Sequence, residues 1–204
     1  MATINTFFGY NPLTFAKTVR ELNNAFNDFE DAFIKVTQSQ FVNPIAQHWC
    51  CPEAVNYFQK NFKTSFDSLN NTVYKTFQEI HSEICNAGNL WARRTQKSWG
   101  KVPFSVRKLG IDVSGIKSQT VTGGVGIDAV KAVSSAAALM GKTYVKVSAA
   151  LTKAESAVVT SGLLGSTQEE ALKNKIRSIR EKVSEMITTL LKTINKNIIE
   201  SAEK

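Results

Sequence analysis

The chain has 204 residues, 43% of them hydrophobic and 21% charged, with a formal charge of +8. That composition supports a buried core and excludes a wholly disordered chain. The charge is uneven: residues 1–100 carry 9 basic and 8 acidic side chains, residues 101–204 carry 16 and 9, so the second half is the part that favours an anionic surface.

Residues 1–11 read as an arm bearing Phe7, Phe8, Gly9 and Tyr10. They have neither a basic start nor an apolar run of signal-peptide length, and no stretch of the chain is long and apolar enough for an ordinary membrane span. The expectation is a protein that is cytoplasmic or exported without a cleaved signal. Asn11 suits a helix cap and Pro12 a first helical position. Apolar residues then recur at Phe15, Val19, Leu22, Phe26, Phe29, Phe33 and Val36, the spacing of one helix face. Phe41 and Val42 extend that stripe, and Pro44 is expected to stop it.

Residues 44–51 read as a turn that carries Trp49. Pro52 and Glu53 open a second helix, with the stripe Val55, Phe58, Phe62, Phe66, Leu69, Val73, Phe77, Ile80, Ile84, Ala87 and Trp91. Two matched stripes with a short break predict an antiparallel pair. Residues 99–124 change character: Gly100, Pro103, Gly110, Gly115, Gly123 and Gly124 interrupt Val102, Phe104, Val106, Leu109, Ile111, Val113 and Ile116. A short strand or hairpin fits part of this stretch. The glycine spacing favours an irregular connector with buried anchors, unusually long for a compact bundle.

A third stripe runs Val130, Val133, Ala137, Met140, Tyr144, Val147, Leu151, Ala154 and Val158, set among small residues. Such a thin helix allows close backbone approach and suits a central or interface position. Lys131, Lys142, Lys146 and Lys153 recur too regularly for a lipid span. Thr167 and Glu170 have capping-box spacing, and a last helix follows with Leu172, Ile176, Ile179, Val183, Met186, Leu190, Ile194 and Ile198. The prediction is an all-α fold, a long-helix hairpin or four-helix bundle with a glycine-rich connector. Its parts are an N-terminal hairpin over 1–98, a connector over 99–126 and a C-terminal helical pair over 127–204 that is a candidate assembly region.

Chemistry-bearing motifs are sparse. The three cysteines, Cys50, Cys51 and Cys85, and the two histidines, His48 and His81, lack CxxC spacing, so buried reduced thiols and partly exposed imidazoles are expected rather than a zinc site. Gly141, Lys142 and Thr143 lie inside the third stripe without the spacing of a phosphate loop. Glu79, His81, Glu83 and Cys85 share a helix without a nucleophile–base–orienter set. No catalytic residue, metal site, cofactor or small-molecule substrate is therefore predicted.

Two surfaces remain as candidates. Trp49, Ala136, Met140, Tyr144 and Leu151 are candidate assembly residues, with Phe15, Phe26, Phe29, Phe33, Phe58, Phe62 and Phe77 carrying the packing. Trp91, Arg93, Arg94, Lys97, Trp99, Lys101, Phe104, Arg107 and Lys108 form a basic aromatic cluster with no acidic residue, suited to nucleic acid, an anionic membrane or a granule surface. The first reading gives a non-enzymatic structural or interaction protein with a homo-oligomeric or helical partner. The second gives a binder of anionic surfaces.

The turn His48, Trp49, Cys50, Cys51, Pro52, Glu53 and Ala54, with Phe58 one turn on, resembles that of WXG100 proteins over residues 12–95. Cys51 stands where that family has Gly, and its tyrosine-containing export signal is not evident in residues 88–100. The resemblance implies a helical hairpin that dimerises and leaves the cell by type VII secretion. The Phe-rich segment from Asn24 to Phe33 is also similar in flavour to phasins, the helical coats of polyester storage granules.

Overall fold

A computed structural model describes residues 12–46, 52–94, 104–106, 108–116, 126–160 and 164–194. It is an all-α bundle of four long helices, with no strand among the described residues. Helix α1 covers residues 12–46: a regular stretch Pro12–Glu30, π turns Asp31–Lys35 and Gln38–Val42, and a last turn Asn43–Ala46. Helix α2 covers residues 52–94, with a π turn at Phe58–Phe62 before its long stretch Lys63–Arg94. Helix α3 is Gly126–Thr160 and α4 is Ser166–Ile194. Pro12 and Pro52 each begin a helix, where the missing N–H costs nothing.

The π turns correct two expectations about α1. In each, an N–H reaches back five residues, from Val36 to the Asp31 carbonyl and from Asn43 to that of Gln38. A turn with one extra residue moves the inward face on by one position. Thr37, Phe41 and Val42 are buried as a result, while Val36 is only half-buried. Pro44 does not stop the helix, which continues to Ala46. The widened turn just before Pro44 relieves the crowding that its ring would meet in a regular α-helix.

Neighbouring helices run antiparallel, as their cross-contacts show. Phe26 meets Phe77 (ring centroids 5.4 Å apart), Phe33 stacks on Phe66 (4.6 Å) and Phe41 on Phe62 (5.8 Å), so α1 and α2 run in opposite directions. Lys153 of α3 pairs with Asp28 of α1 at 2.7 Å. Arg180 of α4 pairs with Glu155 of α3 at 2.7 Å and donates to Ser148 Oγ at 3.1 Å. Lys175 of α4 pairs with Glu79 of α2, and Gln168 donates to Glu83 at 3.1 Å. The order around the bundle is thus α1, α2, α4, α3, and the diagonal partners α2 and α3 run parallel.

Side-chain size sets the spacing. The α1–α2 interface is built of phenylalanines, whereas α3 buries Ala150, Ala154 and Ala157 and approaches α1 and α4 most closely. One continuous core joins both halves of the chain. At the start of α4, the Glu169 N–H bonds to the Gly165 carbonyl at 2.9 Å, which makes Gly165 the cap residue. Thr167 therefore sits inside the first turn, and the capping box does not form. Glu170 instead pairs with Arg177 at 3.0 Å.

Phe33 and Phe66 are at most 1% exposed and stack face to face. Replacing either by Ala is expected to cost about 3–5 kcal/mol in a urea unfolding curve. Val145→Ser, at a side chain 67% exposed, is expected to stay within about 0.5 kcal/mol of the parent.

Candidate functional site

The most organised polar arrangement among the described residues lies where the connector crosses α1 and α2. Residues 104–106 and 108–116 form an extended strap in the groove between these helices. Ile111, Val113 and Ile116 are buried, and Phe104, Val106 and Leu109 pack against the core. Phe104 sits beside Tyr74 (5.6 Å), Phe26 (6.0 Å) and His81 (5.3 Å), while Gly115 lies at the opposite end against Ala46. The strap therefore runs antiparallel to α2 and parallel to α1.

An extended segment has backbone N–H and C=O groups that need partners, and no strand among the described residues supplies them. Helix side chains do so instead. Glu30 accepts the Leu109 N–H at 3.1 Å, and Asn70 Nδ2 donates to the Leu109 carbonyl at 2.7 Å. Asp67 accepts the Ile111 N–H at 3.2 Å, and Lys63 Nζ donates to the Ile111 carbonyl at 2.6 Å. The Gln38 amide accepts the Asp112 N–H at 2.7 Å and donates to the Asp112 carbonyl at 2.9 Å. Gln59 reaches the Ile116 carbonyl at 3.3 Å.

These side chains also support one another. Asn70 Nδ2 donates to the buried Glu30 carboxylate at 3.0 Å, and Lys63 pairs with Asp67 at 2.9 Å across one helical turn. In a regular α-helix Glu30 and Gln38 would point about 80° apart. The extra residue in the π turn Asp31–Lys35 brings them onto one face. The strap then turns at its far end, where Asp112 Oδ1 accepts the Ser114 N–H at 3.0 Å and the Ile116 N–H bonds to the Val113 carbonyl at 3.0 Å. The bond from the Ser114 backbone, aided by the Ser114 hydroxyl and the Lys63 charge, holds the Asp112 carboxyl below its ordinary pKa.

At the other end, His81 is buried rather than partly exposed, because Phe104 covers its ring. Cys85 Sγ lies 3.7 Å from its Nε2, and burial pushes the Cys85 thiol up from its ordinary pKa. Glu79 and Glu83 are engaged by α4. A separate cleft of about 480 Å³ between α2 and α4 is lined by Phe62, Phe66, Leu69 and Met186, with the hydroxyls of Ser65, Ser68 and Thr72 and the charges of Lys182 and Glu185. No three metal-ligating groups gather, and no helix is long and apolar enough to cross a membrane, among the described residues.

Few of the sequence-derived candidates have described side chains. Of the basic aromatic cluster, Lys108 is exposed with its Nζ 5.0 Å from the Tyr74 ring centroid, and Phe104 is part of the strap. Trp91, Arg93 and Arg94 belong to the last turn of α2, their side chains outside the described set. Lys97, Trp99, Lys101 and Arg107, like Trp49, lie outside the described residues altogether. Leu151 is fully buried in the chain's own core. Tyr144 is half-buried beside Arg177, Arg180 and Glu181. Ala136 and Met140 lie on α3, with side chains outside the described set.

Pattern reading missed Glu30, Gln38, Gln59, Lys63, Asp67 and Asn70. Two carried a signal: Glu30 falls between Phe26 and Phe33, and Asn70 between Phe66 and Val73, both at stripe spacing. A carboxylate and an amide at core positions call for buried partners. Comparison with known proteins found no matching family model, curated protein or solved structure.

Asn70→Ala leaves the Leu109 carbonyl without its donor and is expected to weaken strap attachment by about 1–3 kcal/mol. Amide hydrogen exchange should then accelerate at Leu109, Ile111 and Asp112 more than at Leu151 or Ile176. In a chain with Cys50 and Cys51 changed to Ser, alkylation of Cys85 should be slower than that of free cysteine at pH 8. Its rate should keep climbing past the pH at which free cysteine levels off, because only the thiolate reacts.

Proposed function

We propose that this chain is a non-enzymatic structural or interaction protein that works by self-assembly. The observation that carries the reading is the α1–α2 groove, whose polar side chains are directed at polypeptide backbone. Glu30, Gln38, Lys63, Asp67 and Asn70 hold peptide N–H and C=O groups of an extended segment while its apolar side chains enter the core. Backbone-directed bonds with a few apolar anchors are how proteins bind one another's extended segments. Further support comes from α3, which exposes Val145 and Val159 on its outer face.

The WXG100 resemblance adds a proposed route, export by a type VII-like pathway. The antiparallel α1–α2 pair, with α1 ending at Ala46 and α2 starting at Pro52, is the feature that supports it.

Light scattering and electron microscopy of the purified chain over a concentration series test the assembly reading. Species larger than a monomer, growing with concentration, are the expected outcome. A strict monomer at the highest concentration sinks it.

A further inference from the structure

Every described contact that docks residues 104–194 onto α1 and α2 is non-covalent. The strap is held by helix side chains, α3 by its close approach to α1 and the Lys153–Asp28 pair, and α4 by Lys175–Glu79 and Gln168–Glu83. The single covalent link between the two parts is residues 95–103.

Helix α2 continues to Arg94, yet the Phe104 ring sits back at the level of His81 and Tyr74. Between Arg94 and Phe104 the chain returns by about 20 Å along the helix direction. A link of this length spans at most about 30 Å when extended. The groove of an adjacent copy that lies within that span of Arg94 can take the strap in place of the chain's own.

We propose that two copies assemble by exchanging these parts, with residues 104–194 of one docking on the α1–α2 pair of the other. The inference rests on the self-assembly reading above and names its mechanism. The occupant follows from complementarity within the chain. A second copy brings the same Ile111, Val113 and Ile116 anchors, the same Leu109 peptide groups for Glu30 and Asn70, and the same Lys153 for Asp28. A foreign peptide would fill only the strap groove and leave the apolar faces against α3 and α4 uncovered. Exchange creates no new interface, so the two forms differ mainly in the link and in the entropy of association, and concentration decides between them.

A disulfide reads out which chain's strap occupies a groove. A Cβ built on Gly115 lies 3.4 Å from the Ala46 Cβ, close to the separation a disulfide uses. Ala46→Cys with Gly115→Cys, in a chain with Cys50, Cys51 and Cys85 changed to Ser, is allowed to assemble while reduced, then oxidised and run on a non-reducing denaturing gel. Covalent dimers in the assembled fraction, and internally bridged chains in the monomer fraction, are expected. An assembled fraction containing only internally bridged chains overturns the exchange and leaves self-assembly standing. A chain that stays monomeric at every concentration removes both. The unaltered chain gives a second readout that does not depend on the variant folding. Light and heavy-nitrogen-labelled chains are refolded together, and Lys153 is coupled to Asp28 by carbodiimide. Linked light–heavy peptides in the assembled fraction support the exchange, and like-with-like links alone refute it.

Discussion

Because α2 and α3 run parallel across the bundle diagonal, the chain between them has to travel the length of the molecule. A link of a few residues suffices between antiparallel neighbours, as from Ala46 of α1 to Pro52 of α2, but cannot join parallel ones. The connector's length is the direct consequence. An extended segment crossing a helical bundle then meets the rule that governs any buried backbone, that its N–H and C=O groups must be satisfied. With no strand among the described residues, the partners come from Glu30, Gln38, Lys63, Asp67 and Asn70. The π turn that aligns Glu30 with Gln38 belongs to the same solution.

Side-chain volume explains why the strap lies where it does. Phenylalanines between α1 and α2 hold these helices apart and leave a groove on their outer side. Alanines on α3 let it approach α1 and α4 most closely. The contrast between a Phe-rich hairpin and an Ala-rich third helix is thus a difference between the pair whose groove holds the strap and the helix that packs most closely on its neighbours. Asn70 shows that the fit has a cost. Its amide nitrogen serves both Glu30 and Leu109, while its Oδ1 is buried with no hydrogen-bond partner among the described residues. Such an arrangement favours one register of the strap over alternatives of similar hydrophobicity.

The helices and their inward faces were legible because a 3.6-residue period survives in the spacing of Phe15 to Phe33, Phe58 to Ile84, and Leu172 to Val183. The connector's anchors were legible too: Ile111, Val113 and Ile116 stood out as apolar residues among glycines, and they are buried. Stripe counting failed where the twist is not constant. It assigned Val36 to the core and ended the helix at Pro44, since nothing in residue types announces an extra residue in a turn. It placed a cap at Thr167, although Gly165 takes that position. Of the groove's polar side chains, Glu30 and Asn70 left a trace at stripe spacing, while Gln38, Gln59, Lys63 and Asp67 were invisible for a different reason. Their role depends on which segment lies across them, and spacing along one helix carries no information about that.

Charge pairs between helices add orientation more than energy. Asp28–Lys153 and Glu79–Lys175 are largely exposed, and pairs of that kind contribute at most about 1 kcal/mol each. Both nevertheless join the first half of the chain to the second, one on α1 and one on α2. Apolar stripes alone tolerate rotation and sliding, because one phenylalanine or leucine resembles the next. A carboxylate on each helix of the hairpin, met by a lysine on one helix of the following pair, disfavours rotations and slides that would part them. The hydrophobic faces supply the stability of the bundle, and the pairs with the strap's backbone bonds select which faces meet.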